Sequence, residues 1–400
     1  MSSKGLQAPR GTFDVLPEQS ALRLVVESTA RGILEAAGYR RIETPIFEDT
    51  DVFRRTVGES TDIVQKEMYT FDDAGGRSLT LRPEVTAPIV RSYLEHGMHK
   101  LPLPVKLWYL GPCFRHERTQ AGRYRQFWQI GAEAIGSDDP AVDAESILLL
   151  ATLLEELGVR GVRLRLASLG TPASRAAYRE LLQAHLRANE DRLSEEVRSR
   201  IDLNPLRAFD SDHPGTREVM ASAPLLMDHL DGDDTEHFAQ VRAMLDAVEL
   251  PYEIDGSLVR GLDYYTRTVF EFTSDALGAQ SGVGGGGRYD GLAEQLGGGP
   301  TPGMGWAAGV ERMLLAAEER PVPDGVCDLY VVLAGDLAAQ RATGLALVAE
   351  ARRAGVPAQV ELAGRSVKGQ FKQAARLQAR YVAVLGDEGI ELKDMESGEQ

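Results

Sequence analysis

The chain has 400 residues, 43% of them hydrophobic and 26% charged, with a formal net charge of −16. That length suits two or three domains rather than one, and its longest near-continuous apolar run, 147–154, is far short of the ~20 residues that span a bilayer, which excludes an integral membrane protein. So acidic a chain is also not one that coats nucleic acid non-specifically, because neutralising phosphates takes a basic surface.

From the N-terminus, MSSKGLQAPRGTFDVLP (1–17) has no apolar segment behind Lys4 and does not resemble a secretory signal, so a cytoplasmic address is expected. Between 18 and 37 apolar residues recur at helical spacing, and Gly38 stops the pattern. Short alternating stretches follow at 40–48, 67–73, 77–84, 105–117 and 125–136, separated by Gly, Asp and Pro turns; together they read as one antiparallel sheet. A helix is expected over 141–158 and a strand over 162–170. The segment 171–250 is mostly helix-forming with charged faces and reads as an inserted helical subdomain. The strand pattern returns at Tyr252, runs through LVRGLDYYTRTVFEF (258–272), and gives way to a glycine-dense loop and a helix from Gly309 to about Glu319. Residues 321–326 have the Pro and Gly of a linker, and 327–400 alternates strand and helix as a small parallel α/β domain does. The expected plan is therefore a sheet domain in two parts, 1–170 and 251–320, interrupted by the helical insertion and followed by the α/β domain. Cys113 and Cys327 are too few for a disulfide framework or a cysteine zinc cluster and read as small buried hydrophobes.

Several stretches could carry chemistry. SGVGGGGRYDG (281–291) holds a G-x-G-x-x-G, but its neighbours are antiparallel strands rather than a βαβ unit, so it is not a dinucleotide fingerprint. Its glycines read either as a flexible hairpin loop or as backbone brought close to a ligand. In PCFRHERTQAGRYRQFWQ (112–129), Arg115, Arg118, Arg123 and Arg125 surround Glu117. A solvated hairpin tip accounts for that loop, yet Arg115 stands at a strand end between Phe114 and His116, where an unpaired guanidinium is costly unless an anion such as a polyphosphate meets it. Glu117 either accepts from an amino group, such as that of adenine, or pairs with its arginines. GMGWAAGVERMLL (303–315) reads as a glycine-spaced strand entering a helix, with Arg312 able to reach a ligand on the sheet. LTLRPEVTAP (79–88) is expected to put Arg82, Glu84 and Thr86 on one side of a strand ending at prolines, Glu84 being an acceptor for a substrate ammonium or an ordinary surface acid. His96 and His99 form an H-x-x-H with no third ligand nearby, so no metal site is expected.

The order of these pieces tells more than any one of them. FRHER (114–118), the later glycine-rich strands and the G-x-G-x-x-x-G-x-x-R ending at Arg312 resemble motifs two and three of class II aminoacyl-tRNA synthetases. RRIETPIFEDTDVF (40–53), with Pro45, resembles motif one, which in that class forms the dimer interface. RGLDYYT (260–266) and GGGRYDGL (285–292) are similar to the histidine-specific signatures of the histidyl-tRNA synthetase family, and the resemblance covers essentially the whole chain. It implies an α+β catalytic domain with an antiparallel sheet, the class II synthetase fold, carrying a helical insertion, plus a C-terminal α/β anticodon-binding domain. It further implies a homodimer that joins L-histidine to ATP, giving histidyl-adenylate and pyrophosphate, and then transfers histidine to the 3′ end of tRNA(His). Magnesium would arrive with ATP, held mainly by its phosphates.

The resemblance also implies roles. Arg115 and Arg260 would lie on opposite sides of the ATP α-phosphate as fixed cations aimed at developing charge, and no general base is needed because a carboxylate is already a nucleophile. Neutral imidazole offers one donor and one acceptor; Glu133 and Tyr264 would match them, with Tyr265 lining the pocket. Glu84, Thr86 and Gln129 would take the α-ammonium, Glu117 the adenine, Arg123 the phosphates, and Arg312 the base face and γ-phosphate. Thr119 stands where the family usually has proline and Trp128 where histidine is common; neither change removes a charge, so altered packing is expected rather than lost chemistry. The family continues for a short segment beyond the position of Gln400, which leaves the completeness of the tRNA-binding module open. A rival reading is the regulatory subunit of ATP phosphoribosyltransferase, a non-catalytic relative that senses histidine but generally lacks the last domain and the full set of ATP-contacting residues. Here the last domain has seven Lys or Arg residues against one acid over 351–380, and Lys368, Lys372, Arg376 and Arg380 are expected along one helix stripe, either a solvated face or a tRNA contact.

Overall fold

The computed structural model describes residues 5–58, 61–258, 262–278, 281–318, 327–335, 337–386 and 389–397. The chain divides into two compact units, Met1–Glu319 and Arg320–Gln400. The expected linker, 321–326, lies outside the described residues.

The first unit opens with α1 (Pro17–Ala36), started by a proline whose missing N–H is no loss at a first turn, and buries Val26, Ala30 and Leu34 at four-residue spacing. Next come β1 (Arg40–Arg41), β2 (Phe47–Asp49), α2 (Thr50–Val57), β3 (Tyr69–Asp72), β4 (Ser78–Leu81) and α3 (Thr86–Glu95). A long antiparallel pair follows, β5 (Val105–Phe114) with β6 (Gln126–Ile135), then α4 (Pro140–Glu156) and β7 (Val162–Ser168). Four helices occupy the region expected to be an insertion: α5 (Pro172–Ala188), α6 (Glu195–Arg200), α7 (Pro214–Met220) and α8 (Gly232–Ala247). The chain returns through β8 (Glu253–Ile254), β9 (Thr266–Ser274), β10 (Gly282–Arg288), α9 (Leu292–Gln295), β11 (Gly303–Gly309) and α10 (Val310–Ala316).

Eight of these strands form one sheet in the order β1-β5-β6-β11-β10-β9-β7-β8. Strand alternation assigns its faces. Trp108, Trp306, Phe270 and Phe272 share a core with α1, α4 and α8, whereas Leu107, Tyr109 and Val269 belong to a second core that includes α3 and α5. Sandwiched on the first face, α4 is apolar on most of its circumference, and Asp139 caps it by accepting from the Ala141 N–H at 2.9 Å.

Four expectations are corrected here. The short strands after α1 do not join one antiparallel sheet: β1 pairs parallel with β5, while β2-β4-β3 forms a separate three-stranded sheet. Alternation locates a strand but leaves its partners open, and β4 finds partners on both its edges. Thr86 is not on a strand with Glu84, because β4 ends at Leu81 and Thr86 opens α3. Glu84 is no surface acid either; it is 3% exposed, and its carboxylate accepts from the N–H groups of Thr86 and Ala87 at 2.7 and 3.0 Å, satisfying the helix's first turn. The glycine-dense stretch is not a hairpin loop but β10, seated between β9 and β11. Its reason is close approach: a first side-chain carbon at Gly286 would lie 1.9 Å from the Gly305 carbonyl oxygen.

The second unit is a four-stranded sheet, β13-β12-β14-β15, of β12 (Leu329–Leu333), β13 (Ala358–Val360), β14 (Tyr381–Leu385) and β15 (Ile390–Asp394), with α11 (Leu337–Arg353) and α12 (Val367–Arg376). Its first three strands are parallel and β15 is antiparallel. Lys368, Lys372 and Arg376 lie exposed on α12. Arg380 does not belong to that stripe, because Gln378 takes a left-handed φ of 52° that ends the helix, and its guanidinium sits 5.1 Å from the Tyr381 ring.

Candidate functional site

On the sheet face away from α4, the side chains of Glu84, Thr86, Arg115, Gln129, Tyr264 and Tyr265 line one cavity of about 140 Å³. Six of the residues singled out from the sequence thus converge, from α3 and the loop before it, β5 and its end, β6, and the approach to β9. Arg115 is held before any ligand arrives: its Nε donates to the Pro83 carbonyl at 2.8 Å and its guanidinium lies 5.3 Å from the Phe127 ring centre. The floor is backbone, since Gly285 and Gly305 line the cavity from the middle of the sheet.

Glu133, four residues along β6 from Gln129 and so on the same face, packs its carboxyl over Gly305 beside the cavity, 0% exposed. Its two oxygens accept from the Thr86 hydroxyl and the Tyr289 hydroxyl, each at 2.7 Å, and a side chain on Gly305 would put its first carbon 1.7 Å from Glu133 Oε2. Burial pushes the Glu133 carboxyl up to about 8, against the pull of the two hydroxyls. Burial also raises Glu84, opposed by the N–H groups of Ala87 and Thr86 and by Arg115. The phenol of Tyr264 is driven far above its ordinary value, first by burial, and its ring packs 4.8 Å from Tyr265 and 6.1 Å from Tyr289. The cavity therefore combines one positioned cation with the Glu84 carboxyl and the hydroxyls of Thr86 and the tyrosines, and the protonatable Glu133 carboxyl lies beside it, bonded to Thr86.

Because the folded chain holds on Glu133 a proton that an unfolded carboxyl with its ordinary value of 4.5 has released, stability falls as pH rises between about 4.5 and about 8. Glu133→Gln removes that dependence and keeps the shape. The variant's melting temperature is expected to gain on the wild type steadily from about pH 5 to about pH 8, corresponding to roughly 1–4 kcal/mol. A gap between the two melting curves that did not widen with pH would contradict the buried, protonated carboxyl.

Beside the cavity, Glu117 lies 3.9 Å from Arg115 and 3.4 Å from Arg123, so it does pair with its arginines; its buried Oε2 still accepts no hydrogen bond among the described residues. On α10, Arg312 donates from Nε to the Gly282 carbonyl, and burial together with the nearby Arg123 holds its guanidinium below the ordinary value. Lys368, Lys372, Arg376 and Arg380 are in the second unit, and Arg260 lies outside the described residues.

Sequence reasoning missed Tyr289 and Tyr109 in the lining and the part played by Cys113, whose Sγ donates to Gln129 Oε1 at 3.2 Å and orients that amide. Burial keeps the thiol protonated, raising it to about 12. The position of Tyr289 within GGGRYDGL was the available signal. Trp128 is packed 5.7 Å from the Arg23 guanidinium, and its backbone N–H donates to Glu311 at 3.0 Å. Among the described residues no group of three or more acids, histidines or cysteines is placed to hold a metal ion, and no helix is long and apolar enough to cross a membrane.

A family model described as histidyl-tRNA synthetase matches residues 11–313. The chain is 51% identical over 412 residues to a histidine–tRNA ligase of Halorhodospira halophila, spanning 100% of this chain and 96% of that one. Its fold superposes on apo S. aureus histidyl-tRNA synthetase with a TM-score of 0.82 at 38% identity, covering 99% and 96% of the two chains. A Bacillus halodurans chain described as an ATP phosphoribosyltransferase regulatory subunit/histidyl-tRNA synthetase matches with a TM-score of 0.68 at 21% identity, covering 95% and 98%, a likeness of fold alone.

Proposed function

The chain belongs to the histidyl-tRNA synthetase family, and from that premise we propose that it activates histidine with ATP, releasing pyrophosphate, and transfers the histidyl group to tRNA(His). The observation that carries this is the single cavity that Arg115 lines together with the polar side chains of Glu84, Thr86, Gln129 and Tyr264, with the buried Glu133 hydrogen-bonded to Thr86 beside it. The histidine carboxylate attacks the α-phosphorus, the bond to the pyrophosphate leaving group breaks, and charge grows between two anions. Arg115 and Arg260 stabilise that charge and hold the carboxylate in line. What supports Arg260 in this role is that Leu262 and Tyr264, just beyond it, line the same cavity.

Glu133 and Tyr264 answer the two imidazole nitrogens, Tyr265 closes the pocket, and Glu84, Thr86 and Gln129 bind the ammonium. Glu117, with an unbonded buried oxygen, reads the adenine amino group. Arg123 and Arg312, two neighbouring cations, meet the phosphates, and magnesium enters with the nucleotide as part of that substrate. A pocket built on matched donors and acceptors rejects analogues lacking them by ~10⁴–10⁵. The helix stripe Lys368, Lys372 and Arg376, with Arg380 beyond it, supplies the positive surface for tRNA in an acidic chain. The chain works as a homodimer through the motif-one region, supported by the exposed Ile46, Phe47 and Phe71 on and beside the three-stranded sheet. The cytoplasm, where ATP, histidine and tRNA meet, is the compartment this chemistry requires.

The test is ATP–pyrophosphate exchange with each of the twenty amino acids. Exchange with histidine alone is expected; histidine bound without exchange would favour the sensor reading, which the whole-length identity to a ligase disfavours.

A further inference from the structure

Two acidic or basic side chains one turn apart on α8 hold the two segments that carry the cavity's tyrosines. Asp234 and His237 are both buried and, three residues apart, lie on one helix face. The Asp234 carboxylate accepts from Arg267 Nε at 2.9 Å, and from the Thr171 N–H and Ser174 hydroxyl of the α5 start at 2.7 and 2.8 Å. Arg267 stands two residues after Tyr265 with a φ of 46°, a left-handed conformation that a residue with a side chain keeps only when its surroundings enforce it. His237 Nε2 donates to Asp143 at 2.8 Å, and Asp143 pairs with Arg288 at 2.8 Å. Arg288, fully buried, immediately precedes Tyr289 and also donates to Asp290 at 3.2 Å. The other oxygen of Asp290 accepts from the hydroxyl of Thr266, the residue between Tyr265 and Arg267, at 3.2 Å. Side-chain contacts and short stretches of backbone thus link Asp234, Arg267, its neighbour Thr266, Asp290, Arg288, Asp143 and His237, with the α8 backbone joining the two ends.

Buried ion pairs add little net stability compared with apolar packing of the same volume. Their directional bonds fix geometry instead. Of the tyrosines beside them, Tyr289 donates to Glu133 and Tyr265 lines the cavity, whereas Glu117, Arg123 and Arg312 hang from other elements. We propose that Asp234 and His237 are positioning residues through which the helical insertion sets the histidine pocket, so that loosening α8 weakens histidine binding while leaving nucleotide binding in place. The inference rests on the assignment of this cavity to histidine.

The experiment measures KM for histidine and for ATP in pyrophosphate exchange, with melting temperatures, for Asp234→Asn, His237→Ala, His237→Gln and Thr266→Val. Asp234→Asn, His237→Ala and Thr266→Val are expected to raise KM for histidine by about 10–100-fold, with KM for ATP within about twofold; His237→Gln, which can still donate to Asp143, recovers most of the loss. KM values for both substrates moving together, or a lowered melting temperature with KM for histidine unchanged, would overturn the proposal. Should a ring-charge variant fail to fold, Thr266→Val, which removes one hydroxyl and no charge, decides between the same outcomes. Wild-type protein without histidine-dependent exchange would instead refute the underlying assignment of the cavity.

Discussion

Arg115→Ala is expected to slow histidine-dependent pyrophosphate exchange by about 10²–10³-fold, the loss of ~2.7–4 kcal/mol that follows removal of one preorganised donor at a developing charge. The side chain is suited to that task because its orientation is settled in advance. Its Nε is committed to the Pro83 carbonyl and its plane lies against Phe127, so the remaining nitrogens face the cavity without reorganising when substrate arrives. Folding should survive the change. The hydrogen bond lost to Pro83 is worth only about 1 kcal/mol, and Arg115 is 20% exposed at its side chain. Arg115→Lys retains the charge but not the planar fork, so it should recover only part of the rate. Exchange kinetics read beside a melting curve separate these effects, and a near-normal rate for a folded Arg115→Ala variant would remove this residue from the mechanism.

A comparable loss, again about 10²–10³-fold, is expected for Arg260→Ala, with histidine binding by calorimetry largely intact. The expectation follows from the proposed division of labour: imidazole and ammonium would be met by Glu133, Tyr264, Glu84, Thr86 and Gln129, so removing a phosphate-side cation should leave their contacts alone. The double variant is the sharper measurement. Two cations acting on one transition-state charge form a unit, and such units are non-additive; the paired substitution should cost clearly less than the product of the two single losses. Losses that simply multiplied would place the two arginines on independent tasks.

How much of this was legible beforehand depended on range. α1 could be read residue by residue, because its spacing declares its buried side, α4 from an apolar run longer than a strand, and the strands of the β5–β6 pair from their alternation. The α/β alternation after residue 327 was equally plain. The site was legible as a set of residues, since FRHER, RGLDYYT and GGGRYDGL mark it, but not as an environment. Nothing local distinguishes a surface Glu84 from one capping α3, or a solvated Glu133 from one pushed up to about 8 by complete burial.

The amino-acid sequence by itself determined the positions of α1, α4 and the β5–β6 pair, the acidic balance with its basic last segment, and the family signatures, because each is written in neighbouring residues or in their fixed spacing. Tertiary structure alone decided that β2, β3 and β4 leave the main sheet, that the glycine run becomes a strand packed against the Gly305 carbonyl, and that Asp234 and His237 meet partners from β9 and α4. These are properties of pairs distant in the chain. Partner choice, burial and the charge state that burial imposes arise only when such residues are brought together and water is excluded between them.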